Sequence, residues 1–111
     1  MTKTIDVLLE RMVKTIVDEV APEQVILFGS RARGDVTADS DVDLVVVEAA
    51  PFGSGRDRRV EATRLWRALA DFGVSKDILV YSSDEVEYWR GSLNHVLARA
   101  LREGEVLYER P

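Results

Sequence analysis

Phe28-Gly29-Ser30-Arg31-Ala32-Arg33-Gly34-Asp35-Val36-Thr37-Ala38-Asp39-Ser40-Asp41-Val42-Asp43-Leu44 joins two short apolar runs, Val25 to Phe28 and Leu44 to Val47. Each run is brief and β-branched enough to predict a buried strand. Gly29-Ser30 closes the first strand at a point where the backbone can come close to a ligand, and Asp41 and Asp43 open the second at i, i+2 spacing. Strand side chains alternate, so both carboxylates face the same way with their Cβ atoms roughly 6–7 Å apart. Like charges held that close repel, and a bound divalent cation is the usual reason to tolerate them. For the Gly-Ser turn and the Asp pair to serve one site, the end of the first strand must lie beside the start of the second. The two strands are therefore expected to run antiparallel.

Before this stretch, Ile5, Leu8, Leu9, Met12, Val13, Ile16 and Val20 recur at i, i+3, i+4 spacing and predict an amphipathic helix from about Thr4 to Glu19, stopped by Ala21-Pro22. Within the stretch, Arg31 to Val36 has the pattern of a short helical turn ended by Gly34. The apolar run from Leu44 is nearly continuous, as in a central strand covered on at least one face. Ala49-Ala50-Pro51-Phe52-Gly53-Ser54-Gly55 reads as a loop, either a mobile flap or an ordinary connection. A helix from Arg56 to Asp71 would bury Ala62, Leu65, Trp66 and Leu69 and turn Arg58, Glu61, Arg64 and Arg67 away. Val74 to Tyr81 alternates as a third strand and sets Asp77 on one face with Leu79, which makes Asp77 a third carboxylate of interest.

Ser82 and Glu85 have capping-box spacing for a short helix to about Arg90. Ser92 is the expected cap of a further helix with Leu93, Val96, Leu97, Ala100 and Leu101 on its apolar side, ended by Gly104. Glu105 to Glu109 completes the pattern as an edge strand. The order predicts a single α/β (α+β) domain over residues 1–111: a small mixed sheet of three to four strands with helices packed against it.

A net charge of −5 and a pI near 4.9 argue against a sequence-independent grip on nucleic acid, which needs a basic face, though an acidic surface leaves room for a local basic pocket. With no cysteine there is neither a disulfide framework nor a thiolate metal site, and a cytoplasmic setting is expected. No apolar run approaches the ~18 residues of a membrane span, so no membrane partner is expected. Asp39, Asp41 and Asp43 do not make an EF-hand, because Leu44 and Ala50 stand where its glycine and final carboxylate belong. No Gly-Lys-Ser/Thr follows Gly29, which excludes a Walker A loop. His95, the one histidine, has no Cys or His partner at metal-ligand spacing and reads as a packing or surface residue.

Gly29-Ser30, ten residues, then Asp41-x-Asp43 resembles the motif of the DNA polymerase β nucleotidyltransferase superfamily. The form Gly29-Ser30-Arg31-Ala32-Arg33-Gly34, the strand Lys76-Asp77-Ile78-Leu79-Val80 and the tail from Ala100 to Glu109 resemble its minimal nucleotidyltransferases, the partners of HEPN-domain proteins. The likeness spans nearly the whole chain. It implies that Asp41 and Asp43 bind two Mg²⁺ ions, with Mn²⁺ as a substitute, that bridge the triphosphate of ATP. It implies that Asp77 completes one metal site and activates the attacking hydroxyl, and that Gly29 and Ser30 hold the phosphates. Arg31 and Arg33 lie beside that loop and could clamp the β- and γ-phosphates, although arginine outnumbers lysine throughout the chain. The implied activity is transfer of AMP to a hydroxyl outside this chain, a tyrosine of a HEPN ribonuclease toxin, with the two proteins in a hetero-oligomer. A catalytically silent binding module of the same fold and an aminoglycoside-type enzyme are the alternatives; three repelling carboxylates argue against the first, and the lack of room for an acceptor domain against the second.

Overall fold

The computed structural model describes residues 4–29, 41–92 and 95–111, with side chains from residue 7 onward. Four strands form one mixed sheet in the order β3-β2-β1-β4: β1 Gln24–Phe28, β2 Val42–Glu48, β3 Lys76–Ser82 and β4 Glu105–Glu109. The four helices among the described residues are α1 Thr4–Val20, α2 Arg58–Ala68, α3 Ser83–Trp89 and α4 Val96–Glu103. β1 pairs antiparallel with β2, as the site argument requires, and antiparallel with β4 on its other side. β2 and β3 are parallel, joined by a crossover through α2.

Both faces of the sheet are covered. Leu9, Met12 and Ile16 of α1 and Leu65 of α2 bury one face with Val25, Leu27, Val42, Leu44, Val46, Ile78 and Val80. Val86 of α3 and Leu97 and Ala100 of α4 bury the other with Ile26, Val45 and Val47. Apolar residues on both faces explain the nearly unbroken run in β2, since a strand with two covered faces has no solvated side to make polar. The α1 stripe is a core face, with Met12 and Ile16 fully buried.

Two local readings change, and one that the sequence left open is decided. Trp66, expected in the core, is 42 % exposed, with Lys76 Nζ 5.7 Å from its ring centroid; Leu65 and Leu69 already fill the interface below it. α4 starts at Val96 with His95 as its N-cap rather than from Ser92. His95 Nδ1 accepts a hydrogen bond from the Leu97 N–H at 3.1 Å, and the ring stacks on Trp89 with centroids 4.1 Å apart. The segment after β2 is an ordinary connection tied by Arg56, which donates to the carbonyls of Ala50 (3.0 Å) and Pro51 (3.3 Å) and lies over the Phe52 ring. The predicted turn at Arg31 to Val36 lies outside the described residues. The Ser82/Glu85 capping box is present, its Ser82 N–H donating to Glu85 Oε1 at 2.9 Å.

The far end of β2 carries a buried acid. Glu48 is only 4 % exposed, faces Glu61 of α2, and accepts from Arg56 Nη2 at 3.3 Å through one oxygen. Arg56 also pairs with Glu61 at 3.6 Å, and Glu61 continues to Arg64 and from there to Glu19 of α1. Burial, helped by the hydrogen bond and charge of Glu61 and opposed by Arg56, pushes the Glu48 carboxyl from 4.5 up to about 7.

Candidate active site

The β1/β2 register sets Phe28 opposite Asp43, so Gly29 comes immediately beside the start of β2. The β2/β3 register sets Asp43 opposite Asp77. Neighbouring strands lie ~4.8 Å apart, so Asp77, Asp43 and the end of β1 follow one another along a single sheet edge. Alternation gives the face: Asp43 shares it with Val45 and Val47, and Asp77 with Leu79 and Tyr81, all on the side covered by α3 and α4. Asp41 directly precedes β2, two residues before Asp43. Lys76, one residue from Asp77, belongs to the opposite face, over Trp66. Its ammonium group therefore does not offset the Asp77 carboxylate on the shared face.

Gly29 has φ +76°, a left-handed conformation that costs any L side chain. A Cβ there would overlap Asp43 Oδ2 and stand 3.2 Å from its Cγ. The glycine thus serves two needs at once, the turn out of β1 and room for the Asp43 carboxylate.

All-oxygen donors suit a hard divalent ion such as Mg²⁺, and the register of Asp43 with Asp77 offers such an ion a shared position. As the side chains stand, no three His, Cys, Asp or Glu among the described residues form a metal-binding cluster. Ser30, Arg31 and Arg33, expected at the phosphates, lie outside the described residues.

One feature of the edge escaped the linear reading. Phe28 and Gly29 form one side of a groove of about 200 Å³ whose other side is Val96, Arg99, Ala100 and Glu103 of α4. The signal for it was the i, i+3, i+4, i+7 spacing of those four residues, hidden because two of them are charged and read as solvated.

The sequence profile of the nucleotidyltransferase domain family matches residues 9–109. A protein of Methanocaldococcus jannaschii, provisionally named a protein adenylyltransferase, is 37 % identical over 87 residues, covering 78 % of this chain and 78 % of its own. A solved structure provisionally named a minimal nucleotidyltransferase superimposes with a TM-score of 0.58 at 27 % identity, over 92 % of this chain and 91 % of its own. A toxin–antitoxin crystal structure with AMP-PNP contains a chain of the same fold: TM-score 0.57 and 22 % identity, over 91 % of this chain and 73 % of that one.

Proposed function

The chain belongs to the nucleotidyltransferase domain family and is a nucleotidyltransferase, and on that footing we propose that it moves AMP from ATP to a hydroxyl of a partner protein, a tyrosine of a HEPN-domain ribonuclease toxin. The observation that carries this reading is the register that puts Asp43 between Gly29 and Asp77 on one sheet edge. Carboxylates gathered at one edge suit a hard divalent cation, and a nucleoside triphosphate with its Mg²⁺ ions is what the family handles.

In this reading the Gly29-Ser30 turn receives the phosphates, aided by Arg31 and Arg33, while Asp41, Asp43 and Asp77 hold the metal. When bound, two Mg²⁺ ions offset the carboxylates and stabilise charge on the departing pyrophosphate. Asp77, at the outer strand of the edge, takes the proton of the acceptor hydroxyl. The relative named as a protein adenylyltransferase supports a protein acceptor. The shared fold with a toxin–antitoxin chain supports a toxin as that protein. Tyr88, 78 % exposed and packed edge-on against Trp89, supports a partner-binding face on the α3/α4 side.

Co-expression with a HEPN-domain toxin encoded beside its gene, followed by intact-mass measurement, tests the proposal, and the absence of such a toxin counts against it. AMP additions on a partner tyrosine are expected with wild type and absent with the double variant Asp41→Asn/Asp43→Asn. Asp77→Asn should slow transfer at least ~100-fold, in keeping with loss of a general base, without lowering the melting temperature. A partner whose mass never changes while the double variant still protects cells would replace this reading with neutralisation by contact alone.

A further inference from the structure

Val96, Arg99, Ala100 and Glu103 lie on one side of α4, and that side looks across a groove of about 200 Å³ at Phe28 and Gly29. The wall is anchored, because Leu97 and Ala100 are buried against Ile26, Val45 and Val47 of the sheet. Along the edge the order is therefore Asp77, Asp43, Gly29 and then the groove. A groove of this size is smaller than the ~300 Å³ at which pockets begin to enclose a whole drug-sized ligand. It has room for one end of a nucleotide.

Charge decides which end. Among the described lining residues Arg99 is the one cation and Glu103 the one anion, and they face Gly29, the start of the turn that receives the phosphates in the reading above. Arg99 Nε is 3.8 Å from Glu103 Oε2, and both side chains are about half exposed. Such a pair contributes only a few tenths of a kcal/mol. Exchanging it for a phosphate, which a guanidinium can bind through two parallel hydrogen bonds, costs little.

We propose that Arg99 binds the β- and γ-phosphates of the nucleoside triphosphate in this groove; the inference rests on the nucleotidyl-transfer reading above and names a contact within it. In the reaction the acceptor oxygen forms a bond to the α-phosphorus and the bond from that phosphorus to the α,β-bridging oxygen breaks. The bridging oxygen keeps the electron pair, pyrophosphate leaves, and the acceptor's proton passes to the Asp77 carboxylate and then to solvent. Negative charge grows on the pyrophosphate as it departs, so a fixed cation beside it stabilises the transition state more than the ground state.

The experiment measures binding of ATP, AMP and inorganic pyrophosphate, each with Mg²⁺, to the full chain by calorimetry. Arg99→Ala should weaken ATP and pyrophosphate by about 10- to 100-fold, the range for a hydrogen-bonded charged group, and leave AMP within about twofold. Arg99→Lys should recover part of the loss, and Glu103→Gln should tighten ATP about two- to threefold by removing a competing carboxylate. Equal weakening of ATP and AMP would mean that the groove takes the base or ribose, and would overturn the proposal. So would no change in ATP affinity in a variant that melts with wild type, while wild-type transfer shows the nucleotidyl reading still standing. A wild-type chain that binds neither ATP nor pyrophosphate overturns both together.

Discussion

Gly29 is the residue with the least freedom to change. Its φ of +76° alone costs a replacing L residue about 1–2 kcal/mol, and the added Cβ would also push the Asp43 carboxylate aside. Gly29→Ala should therefore lower stability by about 1–3 kcal/mol in urea denaturation and weaken ATP binding at least ~10-fold. Because the second effect runs through Asp43, adding Asp43→Asn to Gly29→Ala should cost ATP affinity less than the sum of the two single changes. The motif spacing made Gly29, Asp41 and Asp43 visible in the linear sequence, and the alternation of β3 made Asp77 visible. Why the glycine is needed was not legible, since the atom it avoids lies fourteen positions away on another strand, and only the β1/β2 register brings the two together.

β2 carries an acid near each end, and its two ends have opposite requirements. At the site end the proposed chemistry needs Asp43 and its neighbours as metal ligands. At the far end Glu48 is buried between Arg56 and Glu61, and it retains its proton to about pH 7. The folded state thus binds a proton more tightly than the unfolded chain does. Stability from this group is present in full below about pH 4.5 and is lost as pH rises towards 7 and beyond. Glu48→Gln should flatten that slope and raise stability at pH 8 by about 1–3 kcal/mol relative to wild type, read as the melting temperature across pH 5 to 8. Nothing in the apolar run of β2 announces this, because Glu48 becomes buried only when α2 brings Glu61, and the loop brings Arg56, over the strand end. α4 has the same lesson in its N-cap. His95 reads as an isolated histidine, yet it caps the helix through Nδ1 and stacks on Trp89. His95→Ala should cost about 1–2 kcal/mol and speed amide hydrogen exchange in α4, the helix that carries Arg99.

At the scale of the whole molecule the chain is a three-layer unit, helices on both faces of a mixed sheet. The architecture was legible because periodicity of 3.6 and of 2 alternated cleanly along the chain. The groove was not, because its two walls come from β1 and α4, elements that nothing in their own sequences pairs. Among the described residues no helix is long and apolar enough to cross a membrane.

β1 holds its last neighbour through the antiparallel match to β4, where the Gln24 side chain donates to Glu109, 85 positions later, at 3.0 Å. A growing polypeptide on the ribosome has β1, β2 and β3 in hand long before β4 emerges. Until then the free side of β1 is an unpaired row of peptide groups, the kind of edge that recruits strands from other chains, and pairing so distant in sequence is slow to form. α4 and β4 arrive together, joined at Gly104, where a Cβ would collide with the carbonyls of Leu27 and Ala100. The strand edge is sealed and the groove beside Gly29 gains its second wall in the same closing step.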